Sequence, residues 1–346
     1  MTVLLQANFL PKRADWSMTH ILKSRRQWLS MLGGGLISTM ATGCRAADLN
    51  HTVSPSTTSS VMAEPRTVNP NDILKRTIPS TGEKLPVIGL GTWQTFDVGT
   101  SASERAPLGE VLQLLVKTGG SMIDSSPMYG QSESVVGDLT EQLQIRDRLF
   151  LATKVWTQGQ QPGIDQMEQS ARLLKAKTID LMQIHNLIDW QTHLRTLRDW
   201  KARGKIRYLG ITHYTVSSYP DLERIIQTEP IDFVQFNYSI TTRDAEARLL
   251  PLAAEKGVAV IINRALESGS LFQRVKGKSL PPWASELDCA SWGQFFLKFV
   301  ISHPAVTCVI SGTSKPQHMK DNLGAAFGKL PDAPTRRKMV ELMSSL

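Results

Sequence analysis

The chain has 346 residues, 41% of them hydrophobic and 20% charged, with a formal net charge of +8. That supplies apolar material for one large globular domain or two medium ones and excludes disordered and fibrous classes. Residues 1–47 hold Lys12, Arg13, Lys23, Arg25, Arg26 and Arg45 against Asp15 alone, so +5 of the +8 sits there, and no basic stripe with interleaved aromatics argues for a nucleic-acid partner.

Ser24-Arg25-Arg26-Gln27-Trp28-Leu29 precedes a weakly apolar, glycine-rich run from Met31 to Gly43, too short for a membrane-spanning helix. The arginine pair, the run and the small residues before Cys44 together resemble a bacterial twin-arginine export signal over residues 1–47, which implies a folded, exported, periplasmic protein. Ala41-Thr42-Gly43-Cys44 also resembles a lipoprotein processing box, which would make Cys44 a lipid anchor. Met18 is an alternative start. Residues 48–72 are rich in Ser, Thr, Pro and Asn without periodicity, and a flexible linker is placed at 48–75.

From residue 76 onward, short runs of Val, Ile and Leu alternate with longer stretches of helical period, the pattern of a parallel sheet covered by helices. Arg76–Leu85, around Pro79-Ser80-Thr81-Gly82, predicts an N-terminal hairpin that plugs the bottom of a barrel. Strands are predicted near Val87–Thr92, Met122–Ser125, Leu149–Lys154, Asp180–His185, Arg207–Thr212, Phe233–Asn237, Val258–Asn263 and Cys308–Gly312. Helices are predicted near Leu108–Thr118, Ser132–Leu143, Asp165–Leu174, Thr192–Arg203, Tyr219–Gln227, Ala245–Lys256, Ser291–Ser302 and Pro316–Phe327, with glycines such as Gly204 and Gly257 at their ends. Eight units imply a closed eight-stranded parallel (β/α) TIM barrel over residues 76–346, with Glu267–Leu287 as a lid. A doubly wound sheet is the alternative, yet no strand is followed by Gly-x-Gly-x-x-Gly. The three cysteines, Cys44, Cys289 and Cys308, are too scattered for a disulfide framework or a zinc site, and no metal site is visible.

Barrel enzymes keep reactive groups at the carboxyl ends of strands. Asp124 ends the second strand with Tyr129 five residues on, Lys154 ends the third and His185 the fourth. Singly, each has a bland reading: Asp124 as a cap, Tyr129 as a packing aromatic, Lys154 as a snorkelling lysine, His185 as a satisfied core histidine. Together they have one use. A lysine ammonium beside a tyrosine would pull down a phenol pKa that otherwise stands near 10, Asp124 would hold that lysine charged, and His185 would polarise a substrate oxygen. The set describes proton delivery to an alkoxide formed as hydride reaches a carbonyl carbon.

In order and near-matched spacing, Asp124, Tyr129, Lys154 and His185 resemble the tetrad of the aldo/keto reductases, and Gly89-Leu90-Gly91-Thr92-Trp93 resembles their first-strand motif. The resemblance covers residues 76–346. It implies NADPH extended across the barrel mouth, a small-molecule aldehyde or ketone as substrate, a monomer, and a pocket walled by Trp93, Met128 and Trp156, with Gly91 and Thr92 beside the cofactor. Thr212-His213 stands where a Ser-Asn pair usually holds the carboxamide, and Gln235 matches the carboxamide-binding glutamine. The family's nicotinamide-stacking tyrosine is replaced by Ile262-Asn263-Arg264, which would leave Arg264 to reach the pyrophosphate. Gly312-Thr313-Ser314-Lys315 opens a stretch like the adenosine-phosphate motif, with Ser314 and Lys315 on the 2′-phosphate, His318 where arginine is common, and Asp321 and Asn322 at adenine. A nucleotide-binding regulatory or redox-sensor protein of negligible turnover is the competing reading.

Overall fold

The computed structural model of the protein describes residues 69–346. The leader, Cys44 and most of the linker lie outside the described residues. Residues 69–75 are folded rather than linker-like. Asn69 caps a short 3-10 turn at Pro70–Asp72 by accepting the Asn71 N–H, Ile73 is buried, and the Leu74 N–H donates to the Ala326 carbonyl at 2.9 Å.

The antiparallel hairpin of β1 (Lys75–Thr77) and β2 (Lys84–Pro86) comes first. Then β3 (Ile88–Gly91), β4 (Met122–Asp124), β5 (Phe150–Val155), β6 (Ile179–His185), β7 (Ile206–Thr212), β8 (Phe233–Asn237), β9 (Ala259–Asn263) and β10 (Val306–Gly312) close in order into a parallel barrel, β10 returning to pair with β3. The eight expected strands are all found, with ends shifted by a residue or two.

Around them run α1 (Ala102–Lys117), α2 (Ser132–Gln142), α3 (Gln160–Leu173), α4 (Trp190–Ala202), α5 (Tyr219–Thr228), α6 (Leu249–Glu255), α7 (Ser270–Arg274), α8 (Trp292–Ile301), α9 (Pro316–Gly324) and α10 (Ala333–Ser345). The expected stops at Gly204 and Gly257 are met, both in the left-handed region at φ +71° and +65°. The starts of α1 and α3 come several residues earlier than predicted, and the helices include Pro107 and Pro162. Helix α10 was not predicted. The expected lid, Glu267–Leu287, is instead anchored: Leu271, Val275, Ala284 and Leu287 are all buried in the core.

Two apolar layers hold this together. One fills the space between strands and helices. The other lies inside the barrel bottom, where Phe150, Tyr208 and Phe233 pack ring against ring with Cys308, Met122 and Leu181, and the hairpin inserts Ile78 and Leu85 from below. The hairpin is pinned there because the Tyr208 hydroxyl pairs with Thr81 Oγ1 at 2.7 Å and donates to Glu83 Oε2 at 2.6 Å. The apolar plug leaves only the carboxyl end of the barrel for polar chemistry.

Close backbone approach fixes α2 against the last turn of α3. In α2, a Cβ built on Gly137 would stand 2.0 Å from the Leu173 carbonyl oxygen of α3. Gly137→Ala is therefore expected to lower the unfolding free energy by about 1–3 kcal/mol, as an overpacked helix contact does, read from the urea midpoint of the purified protein.

Candidate active site

Strand alternation points Asp124 of β4, Lys154 of β5, Gln183 of β6 and Gln235 of β8 into the barrel above the apolar plug. Lys154 is 0% exposed and Asp124 1%. A lysine sealed in this way is tolerable only if its ammonium is matched, and it is. Lys154 Nζ donates to Asp124 Oδ2 at 2.6 Å and to the Ser125 carbonyl at 2.7 Å. The other carboxylate oxygen, Oδ1, accepts from Gln183 Nε2 and Gln235 Nε2, each at 3.0 Å.

Tyr129 is delivered by the turn that leaves β4. Ser126-Pro127-Met128-Tyr129 is closed by the Tyr129 N–H to the Ser126 carbonyl at 3.0 Å, with Pro127 in the second position that its fixed φ suits. This brings Lys154 Nζ to 4.9 Å from the Tyr129 ring centroid. His185, at the end of β6, lies edge-on to Tyr129 with ring centroids 5.8 Å apart. The four residues expected to meet do meet.

Their electrostatics differ from the simplest expectation in one respect. Burial raises the Tyr129 phenol above its ordinary value; Lys154 opposes this and Asp124 adds to it, and the net direction is upward. Tyr129 is thus held protonated, the state a proton donor needs. Burial alone would pull Lys154 down, but Asp124 and Tyr129 outweigh it and its pKa is raised. For His185, burial first and then the charges of Lys154 and His213 push the pKa down to about 2, so the ring is neutral.

The sequence profile of the Aldo/keto reductase family matches residues 87–337. The chain belongs to the aldo/keto reductase family, and with it to the oxidoreductases. It is similar to the aldo-keto reductase YhdN of Bacillus subtilis (strain 168), 26% identical over 209 residues, a stretch that covers 56% of this chain and 62% of that protein. It is also similar to methylglyoxal reductase YeaE of Escherichia coli (strain K12), 28% identical over 232 residues, covering 65% of this chain and 80% of that one. Among solved structures, an aldo/keto reductase from Klebsiella pneumoniae in complex with NADP and acetate superposes with a TM-score of 0.64 at 24% identity, covering 76% of this chain and 93% of that one.

Around this reductase tetrad the rim residues fall into three groups. Trp156 stands 6.4 Å from the His185 ring, and its backbone N–H donates to Gln166 Oε1 at 2.6 Å. Trp93 and Met128 are exposed on the loops after β3 and β4. Second, several residues are bound into the framework. Thr92 Oγ1 donates to the Asp124 carbonyl and to Ser125 Oγ, and Asp321 accepts from Ser291 Oγ and Gln294 Nε2 of α8. His213 is committed to its own loop: Nδ1 accepts the Thr215 N–H at 3.3 Å and Nε2 pairs with Ser218 Oγ at 3.1 Å. Third, unpartnered groups collect at the mouth. Buried atoms without a hydrogen-bond partner include Asn186 Oδ1 after β6, Asn237 Oδ1 ending β8, Asn263 Oδ1 ending β9 and Ser311 Oγ on β10. Such atoms are costly unless a ligand meets them. Nearby, Gly312, Lys315 and His318 are exposed where β10 passes into the start of α9, Ser314 is half-buried, and Thr313 Oγ1 accepts the Lys315 N–H. Asn322 is buried in α9, and Arg264 is exposed with its guanidinium 5.8 Å from the Tyr214 ring.

Sequence reasoning missed Gln183, Ser125 and Ser126. The signal for Gln183 was present: a polar residue between Met182 and Ile184 in a strand buried throughout must face a polar partner inside the barrel.

Asp124→Asn would leave Lys154 sealed without its counter-charge. Its unfolding free energy at neutral pH is expected to fall by roughly 3–5 kcal/mol, the cost of breaking a buried pair, by denaturant titration.

Proposed function

We propose that the protein is an NADPH-dependent reductase of aldehydes or ketones in which Tyr129 gives the proton that turns the nascent alkoxide into an alcohol. The observation that carries this reading is the stack of Asp124, Lys154 and Tyr129 in one line of contact, with neutral His185 facing the same phenol.

When bound, the nucleotide supplies hydride to the carbonyl carbon. The chain's own residues do the rest. Lys154 stabilises the tyrosinate left after proton loss, and Asp124 keeps Lys154 charged and aimed. His185, uncharged, donates a hydrogen bond to the substrate oxygen without competing for the proton. The unpartnered atoms at the ends of β8, β9 and β10 fit a polar ligand laid across them. With the His213 ring engaged elsewhere and Gln235 bonded to Asp124 through Nε2 and to Thr212 through Oε1, Asn263 at the end of β9 is the amide with an oxygen left for the carboxamide. Asn263 Nδ2 already donates to Gln235 Oε1, and its own Oδ1 is free. Lys315 and Ser314, at the first turn of α9, would take the 2′-phosphate, with Arg264 at the pyrophosphate. That the Klebsiella relative is described with NADP supports this choice of nucleotide.

The substrate side is apolar. Trp93, Met128, Trp156, Tyr214 and Phe272 are the large hydrophobic side chains left exposed among the described residues, and every one lies on a segment that follows a barrel strand. A rim of this kind favours a bulky, apolar carbonyl compound. The same proposal includes export by the Arg25-Arg26 leader with the nucleotide bound beforehand, tethering at Cys44, and a monomeric state.

Tyr129→Phe is expected to lower kcat for aromatic aldehydes by at least about a thousandfold while NADPH affinity, followed by protein fluorescence quenching, stays within about twofold. Wild-type turnover in that variant would refute the role of Tyr129, and tight NADPH binding without any carbonyl reduction in the native enzyme would favour the sensor reading. Because Tyr129 stays protonated and His185 neutral, kcat for reduction should show no step at the ordinary histidine pKa of about 6.5. A pH profile in which activity follows an ionisation near that value would contradict the assignment of His185 as a neutral donor.

A further inference from the structure

We propose that Ser126 is a positioning residue that fixes which nitrogen of His185 carries the proton, holding the ring in its Nε2–H form with that N–H aimed into the barrel mouth. This rests on the reading above, in which a carbonyl oxygen docks between Tyr129 and His185.

The argument is a count of protons in a sealed space. Ser126 is 0% exposed, and its Oγ lies 3.0 Å from His185 Nδ1. The same oxygen receives the Met128 backbone N–H at 3.4 Å, and a backbone N–H can only donate. No other acceptor reaches Ser126 Oγ among the described residues. If the imidazole also donated to it, through Nδ1–H, the hydroxyl's own proton would be buried with nothing to accept it, at the cost of an unmade hydrogen bond. If instead the hydroxyl donates to Nδ1, every group is satisfied. A neutral imidazole has one N–H, so it must then be on Nε2.

The outer nitrogen is suited to use that proton. Nε2 has no partner among the described residues and is not among their sealed, unpartnered atoms, so it opens toward the mouth beside Tyr129 and Trp156. In the Nε2–H form it presents a donor to an incoming carbonyl oxygen. In the other form it would present a lone pair, which repels that oxygen. The backbone fixes the device: the turn that places Tyr129 through Pro127 also places Ser126, so the proton donor and the group that orients its neighbour come from one four-residue turn.

The test is nitrogen-15 NMR of the full chain labelled at histidine, recorded without nucleotide, with the His185 ring assigned from a His185→Gln spectrum. The wild-type ring is expected to show a protonated Nε2 and an unprotonated Nδ1. In Ser126→Ala the two nitrogens should move toward averaged shifts as both tautomers populate, and kcat should fall about tenfold with little change in the NADPH dissociation constant. A wild-type spectrum with the proton on Nδ1 overturns the proposal, as does a Ser126→Ala spectrum identical to wild type, and the wild-type spectrum alone decides the tautomer if the variant is unstable. A shifted ring spectrum in a protein that reduces no carbonyl compound would uphold the tautomer assignment while removing the function it rests on.

Discussion

Burying an ammonium inside a barrel is the constraint on which the rest of the site depends. Lys154 has no route to solvent, so its charge must be balanced where it stands, and Asp124 does so from the neighbouring strand at 2.6 Å. The pair is not isolated. Asp124 spends one oxygen on Lys154 and the other on Gln183 and Gln235, so four strands contribute to a single hydrogen-bonded layer. Parallel strands supply this layer because alternate residues point inward, and Lys154 and Gln183 are direct register partners on β5 and β6. Beneath it, Phe150, Tyr208 and Phe233 seal the barrel with the hairpin, which keeps water from weakening the pair from below.

The charge state of every neighbour follows from that layer. A fixed positive charge close to His185 adds to burial in keeping the imidazole neutral. Two groups able to carry a proton are thereby held in different states, the phenol protonated and the imidazole neutral. Tyr129, half-buried and raised, is held protonated. In the proposed reaction Lys154 would lower the cost of losing that proton only once the loss begins, which would be transition-state stabilisation rather than ground-state ionisation.

What could be read from the sequence depended on whether a residue's surroundings were local. Asp124, Lys154 and His185 were legible because each closes a short apolar run, and the end of such a run in a barrel has one destination. For Gln183 the sequence signals a polar partner inside the barrel but not which one, and for Ser126 it signals nothing. Their meaning lies in partners 59 residues away, Asp124 for the first and His185 for the second. His213 shows the converse. The sequence places it correctly beside Thr212, but its ring turns back to Thr215 and Ser218, a choice made by hydrogen bonds that no spacing encodes. The starts of α1 and α3 were placed late because their first turns, Ala102–Arg105 and Gln160–Gly163, bury little apolar surface and so carry no helical period. The Glu267–Leu287 segment was mistaken for a lid because its buried positions are spread over two short helical pieces with no common period.

That same segment explains how an open rim keeps its shape. Arg264, Glu267 and Ser268 all take left-handed backbone conformations, which such residues adopt only when held. The holding group is Glu267, whose Oε1 accepts hydroxyls from Ser239 and Thr242 at 2.6 Å and Thr241 at 2.7 Å, all from the loop after β8. One carboxylate therefore joins the loops that follow β8 and β9, the strands that end in Asn237 and Asn263. The free oxygens of those two asparagines are positioned by a clasp outside the barrel as much as by the strands within it. A carboxylate that gathers three hydroxyls is well satisfied and hard to displace, and the strain it offsets stays local to the loop. The mouth is then clasped on the side where β8 and β9 end in amides and apolar on the side where Trp93, Met128 and Trp156 stand, a division that follows from which strands end in amides and which loops carry tryptophan.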